Sequence, residues 1–513
     1  MTKDQKDQQS VVLSPKYFNM YSAEDAGGQT GSKSVEDLDK NMWQYKFDIR
    51  NQSNIGHALL GIGVKETRNR YKRAKKSGHK NVENFGEVIA ATVTSALSTD
   101  NWLIVPEVKL VYDEEKKRTN IASKYVENCT GTLDNFIVNK TSNTSSKIVL
   151  VGKKHVKFVR TPPKANHKNR EYDFNKLPES MRKDIARGVA ASMLVGDHDV
   201  NPGNFVVVEE ESKEPRCARI DFGHAFNDLI KHKNFGGGKE FSNSALDFLN
   251  RNTVAKVNFG KREQGDIPKL WRDYPGLVPS RELADALLEI SVIEKVTGIT
   301  SGMNNSLEHF QKLLKMMQHK NDKDGIKNLL STVAEMVNSM TGLEYKIESK
   351  KTHEVMLAEM FENIKLSIVR HHKDIQHVAK VMELQVNIDE RIKEILESPE
   401  VKSVPDELEN LASKYKSKYD SLKSGGEAGK GIQWIKTSAD GEVSARNLSE
   451  YITMRAVEMI NIENAKVQED SQSRELLREG SKGRLGALKR KIENRGRKSN
   501  SQAPELKTPG ARK

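Results

Sequence analysis

Residues 194–226, LVGDHDVNPGNFVVVEEESKEPRCARIDFGHAF, restrict the fold more than any other stretch of this chain. Asp199 is followed five residues later by Asn204, and Asn204 seventeen residues later by Asp221 of an Asp-Phe-Gly-His motif. Between them Phe205–Val208 is a short apolar segment and Ala218–Ile220 a second, split by the polar turn Glu209–Pro215. The order is loop, strand, turn, strand, loop. Such a hairpin returns the chain to its starting point, so an acid, an amide and a second acid meet at one end of two strands.

That trio suits phosphoryl transfer, which needs little covalent help from a protein but strict placement of phosphate, metal and acceptor hydroxyl. Asp199 would orient the hydroxyl and take its proton. Asn204 would bind a metal through its amide oxygen, and Asp221 the metal that bridges the phosphates. The expected cofactors are ATP and Mg2+ (or Mn2+). The spacing is that of the catalytic and metal loops of the protein-kinase-like fold. An Asx-rich turn and hairpin in an unrelated α+β domain is the alternative.

Ile220-Asp221-Phe222-Gly223-His224 resembles the metal loop of phosphatidylinositol 3- and 4-kinases. Gly196-Asp197-His198-Asp199, followed by Asn204, loosely resembles their catalytic loop. In the 3-kinases an Arg and a His would stand at Val200 and Asn201, and this chain has neither there. His198 or His224 is the candidate to take over the role of that His. Pro202 resembles a feature of protein kinases, so that family stays an alternative. The resemblance covers roughly Trp43 to Thr341, and the chain as a whole is similar to secreted bacterial effectors of this kind, rickettsial ones among them. It implies phosphatidylinositol and phosphoinositides at a membrane surface as partners, with host proteins as further candidates. It also implies bacterial cytoplasm before export, and host cytoplasm and peripheral host membranes after it.

The 513 residues allow two or three domains, and 36% apolar against 30% charged residues argues against one compact core. No run of 18 apolar residues exists, and Met1–Ser10 lacks the apolar stretch of a secretory signal. Two cysteines, Cys129 and Cys217, read as reduced thiols, and no His/Cys cluster has zinc spacing. The net charge of +13 is concentrated in a tail: Lys482–Lys513 holds eleven Lys and Arg against two acidic residues. No folded nucleic-acid module accompanies that tail, so nucleic acid is not an expected partner.

The expected architecture is α+β, a bilobal protein-kinase-like catalytic domain followed by an α-helical, partly coiled-coil region. Its parts are a disordered segment over 1–40, a catalytic domain over 41–345 with lobes meeting near 130, a helical region over 346–470, and a basic tail over 471–513. Trp43–Lys65 reads as two or three strands with a Gly-bearing turn. Lys65 is the first candidate for the phosphate-binding lysine and Lys46 the second; either could be a solvated lysine. Arg68–Lys80 is a basic run, a solvated face or a lipid contact. Val88, Ile89, Val93 and Leu97 recur at helical spacing in Asn84–Leu97. By resemblance to type II 4-kinases, Glu87 at the start of that helix would pair with the lysine. A Glu placed there only by the helix dipole is the alternative. Asn120–Val126 reads as a strand, Glu127–Gly131 as an adenine-contacting hinge, and Met181–Leu194 as the helix presenting the catalytic loop.

Lys231, His232, Lys233 and Lys239 surround three glycines where the resemblance places a loop that reads an inositol phosphate. Asp266–Thr341 reads as helical. From Leu357 to Leu396 a heptad seam includes Leu357, Phe361, Ile364, Ile368, Ile375, Val378, Met382 and Ile392. It would pack within the chain, for instance on Pro405–Leu422, or serve self-association through residues 357–396. Gly425–Gly431 lacks the spacer and Ser/Thr of a P-loop and reads as a linker. The expected activity is an ATP-dependent phosphatidylinositol kinase, first a 3-kinase. The alternatives are a 4-kinase, a protein Ser/Thr kinase, or a scaffold that binds without turnover.

Overall fold

The structure is a computed structural model. It describes residues 12–25, 32–46, 82–98, 102–134, 136, 149–150, 156–157, 174–197, 200–209, 213–223, 225–226, 274, 276–277, 280–341, 344–423, 448–457, 459–461 and 463. The chain is mixed α/β; among the described residues the strands all lie before residue 220, and from residue 281 on the regular structure is helical.

Six strands form the larger sheet: β1 (Val12–Leu13), β2 (Phe18–Asp25), β3 (Lys33–Asp37), β4 (Met42–Lys46), β5 (Val108–Asp113) and β6 (Arg118–Lys124), in the order β1-β5-β6-β4-β3-β2. The β1–β5 pair is parallel and the others antiparallel. Residues 12–25 and 32–40, expected to be disordered, thus supply three strands and a turn. Their few apolar side chains are the reason: Leu13, Tyr17, Phe18 and Val35 are buried with Trp43, Tyr45, Val111 and Ala122. Asp37 closes the β3–β4 hairpin by accepting from the Asn41 amide (2.7 Å) and Trp43 Nε1 (2.8 Å). Strand alternation puts Trp43 and Tyr45 on that packed face and Lys46 on the opposite one.

The opposite face meets helix α1 (Val82–Leu97), whose Phe85, Val88, Ile89 and Val93 are fully buried. A smaller antiparallel sheet, β11-β10-β7, comprises β7 (Cys129–Thr132), β10 (Phe205–Val208) and β11 (Arg216–Arg219). Two further strands, β8 (Val149–Leu150) and β9 (Val156–Lys157), pair with each other. Helix α2 (Glu179–Val195) lies against β11, where Asp184 accepts from Arg216 Nε (2.6 Å) and the Cys217 amide (2.8 Å).

Further helices are α3 (Arg281–Ser291), α4 (Glu294–His319), α5 (Lys323–Thr341), α6 (His353–Glu397) and α7 (Val404–Lys423), and the described residues of 448–461 are helical as well. Helix α4 clamps α1. A methyl at Gly302 would lie 2.7 Å from Val93 Cα, and one at Gly298 2.9 Å from the Ala96 carbonyl, so the two backbones touch where only glycine fits. Phe85 and Phe310 meet edge to face, and Lys295 Nζ donates to the Leu97 carbonyl at 2.7 Å, capping α1.

The chain divides into two compact units, residues 1–387 with 420–433 and residues 388–419 with 434–513. Residues 353–387 of α6 belong to the first unit and 388–397 to the second. In the first unit Phe361 packs on Phe310, His371 Nδ1 donates to the Leu194 carbonyl (3.0 Å), and Gln376 Nε2 donates to the Ser291 carbonyl (2.8 Å). The seam residues Leu357, Phe361, Ile364, Ile368 and Ile375 are thus buried within the chain. In the second unit Arg455 pairs with Asp389.

Candidate active site

Lys46, Glu87 and Asp221 meet at the end of β4. Lys46 Nζ donates to Glu87 Oε2 at 2.6 Å and to Asp221 Oδ1 at 3.1 Å. Lys46 reaches them because β4 ends with its even-numbered residues turned towards α1. Glu87 reaches them from the second turn of α1. A methyl at Gly86 would lie 2.6 Å from the Ala225 carbonyl, so the segment after Asp221 presses on α1 right beside Glu87.

Asp221 follows β11 and has φ 59, a left-handed conformation that a non-glycine residue holds only when its surroundings fix it. Its carboxylate also accepts from the Gly223 amide at 3.3 Å and is 47% exposed, so it can take a ligand while Lys46 stays buried. Asn204 ends the 3-10 turn Pro202–Asn204, which the Asn201 side chain caps by accepting from the Gly203 amide at 2.9 Å. The Asn204 carbonyl accepts from the Ile220 amide at 2.9 Å, and this bond sets the two candidate metal residues side by side.

Burial opposes the charge on Lys46, but the carboxylates of Asp221 and Glu87 outweigh it and its pKa is raised. Burial pushes the Glu87 carboxyl up to about 7; Lys46 opposes that rise and Asp221 adds to it. Lys46 is therefore a fixed cation, and a mildly acidic solution protonates Glu87.

Of the two lysines weighed from sequence, Lys46 makes the pair with Glu87; Lys65 lies outside the described residues. So do Asp199, His198, His224, Lys231, His232, Lys233 and Lys239. The structure brings together Glu87, Asn204 and Asp221 of the expected set. It also places there two residues that the sequence reading passed over. Arg219 and Asp197 are wholly buried and paired at 2.6 Å. The signal for Arg219 was available: Cys217 and Arg219 share the inward face of a short strand, and an arginine on such a face needs a partner.

The residues present fit a magnesium-type ion. A carboxylate and an amide oxygen are hard donors, and Mg2+ is commonly held by one or two carboxylates plus substrate phosphates. Among the described residues no group of three or more His, Cys, Asp and Glu could hold a metal by itself.

The family model of the LepB N-terminal domain matches residues 172–262, the stretch that contains α2, Asn204 and Asp221. No curated protein matches the chain. Among solved structures the chain is similar to a Helicobacter pylori proinflammatory kinase, CtkA, at 14% identity and TM-score 0.34, over 72% of this chain and 98% of that one.

Proposed function

We propose that this chain is an ATP-dependent phosphotransferase whose acceptor is the inositol head group of a phosphoinositide, with phosphatidylinositol 3-kinase activity the first candidate. The observation that carries the reading is one buried lysine shared by a helix carboxylate and a carboxylate at a hairpin end. Such a lysine, held by Glu87, is placed to bind phosphate oxygens. Asn204 and Asp221 would hold the metal, which when bound neutralises charge on the β- and γ-phosphates. Asp199, five residues before Asn204 in sequence, would accept the proton of the attacking hydroxyl. Lys231, His232, Lys233 and Lys239 would meet the anionic head group. The lipid acceptor and export to host membranes rest on the motif resemblance and on the basic tail.

The test is transfer of label from [γ-32P]ATP to vesicles of phosphatidylinositol or its monophosphates, with a generic protein as the other acceptor. Thin-layer separation and deacylation then identify the labelled hydroxyl. The expected result is labelled lipid, lowered about 10²- to 10³-fold by Lys46→Met and little changed by Lys65→Met. Label in protein alone would refute the lipid acceptor, and no label in either would refute phosphotransfer. A loss confined to Lys65→Met would refute the assignment of Lys46.

A further inference from the structure

We infer that Arg219 is a positioning residue for the metal-binding pair Asn204 and Asp221, and that Asp197 holds its charge in place. The inference rests on the phosphotransferase reading, since it concerns the residues that would hold the metal.

Arg219 is the largest wholly buried side chain among the described residues. Its Nη2 donates to Asp197 Oδ2 at 2.6 Å and its Nε to Ser192 Oγ at 3.2 Å, tying β11 to the end of α2. Its Nη1 donates to two backbone carbonyls. One is that of Asn204, at 3.0 Å. The other is that of Ile220, the residue immediately before Asp221. A single nitrogen therefore sets the backbone at both metal residues. The residue that follows each of the two also touches the guanidinium. Phe205, which follows Asn204, and Phe222, which follows Asp221, both pack on the guanidinium, at 5.4 and 4.8 Å from ring centroid to Cζ. One planar cation thus indexes both residues through their carbonyls and through their neighbouring rings. It also supplies what the left-handed Asp221 needs, a surrounding structure that leaves it no other conformation.

Asp197 lies two residues before Asp199 in sequence and is wholly buried. Its carboxylate supplies the counter-charge without which a buried guanidinium would be untenable. Buried ion pairs are weak evidence for stability as such. A positional role and a merely structural one therefore predict different measurements.

The experiment uses the full chain and the variants Asp197→Asn, Arg219→Lys and Arg219→Met. Asparagine keeps the shape of Asp197 and removes its charge. Lysine keeps the charge of Arg219 and removes its fork. Three quantities are read: the urea midpoint, affinity for a non-hydrolysable ATP analogue without metal, and Mn2+ affinity in the presence of that analogue by electron paramagnetic resonance. The expected result is wild-type affinity for the metal-free analogue in Asp197→Asn and Arg219→Lys, with Mn2+ affinity weakened about 10- to 100-fold. Mn2+ affinity equal to wild type in the folded variants overturns the inference. So does a parallel loss of metal-free binding, and so does a failure of every variant to fold, because each makes the pair merely structural. A wild-type chain that binds Mn2+ and analogue but transfers no phosphate overturns the phosphotransferase reading alone. One that binds neither overturns both.

Discussion

At the residue scale, two acids compete for one cation. Glu87 is buried and Asp221 is half in solvent, so the cost of charging the pair falls on Glu87. In the folded chain its carboxyl keeps a proton up to about 7, against an ordinary value of 4.5. Between those values the folded state binds more protons than the unfolded one. Raising the pH through that window therefore removes stability, and the loss is complete above about 7. Glu87→Gln has no proton to lose. Relative to wild type the variant is expected to gain on the order of 1–3 kcal/mol as the pH rises through this window, read from urea midpoints at its two ends. A difference independent of pH would mean that Glu87 is charged throughout. Glu87 was legible from helical spacing and a motif resemblance. Lys46 came second to Lys65 because a glycine-bearing turn before Lys65 drew the assignment, whereas strand parity after Trp43 and Tyr45 points to Lys46. Arg219 belongs to no motif, and Asp197 stands in the Gly-Asp-His-Asp stretch with no role of its own there; the role of the pair exists only once the hairpin is closed.

At the scale of elements, the contact between α1 and α4 sets where Glu87 stands. Gly302 is an interior helix residue, where glycine is otherwise unfavourable, and it faces the backbone of Val93. Gly302→Val is expected to force the helices apart, to cost about 1–3 kcal/mol in urea unfolding, and to lower turnover by displacing Glu87 from Lys46. Unchanged stability and turnover would show that the contact yields without consequence. The helices α1, α2, α6 and α7 were readable because apolar spacing is local. Strands β1 to β3 were not. β1 has two residues and pairs with β5, with Val12 opposite Leu110, so no local pattern announces it, and β2 and β3 are mostly polar.

At the scale of the molecule, most of α6 belongs to the first compact unit, which runs to residue 387. Its first part covers apolar side chains of the first unit, and His371 satisfies the Leu194 carbonyl at the end of α2. A chain ending at residue 345 would leave that carbonyl and the apolar face beneath α6 uncovered. It is expected to be insoluble or to unfold at a markedly lower temperature than the full chain, as measured by circular dichroism, with the His371→Ala variant of the full chain losing about 1–3 kcal/mol. A truncated protein as stable as the full chain would show that the catalytic part ends near 345. The seam pattern was legible as a heptad, but what covers it was not, since a heptad reads alike whether its partner is the same chain or another.

The glycine contact between α1 and α4 also bears on how nucleotide meets the site. A helix pressed backbone to backbone against its neighbour has one seat, and Glu87 therefore holds Lys46 before any ligand arrives. Where such a lysine is held in only a fraction of molecules, the observed affinity is the intrinsic one reduced by that fraction. A seat shared by all molecules predicts that nucleotide binding follows a single kinetic phase; two phases in stopped-flow binding would show that Lys46 is held in only part of the population.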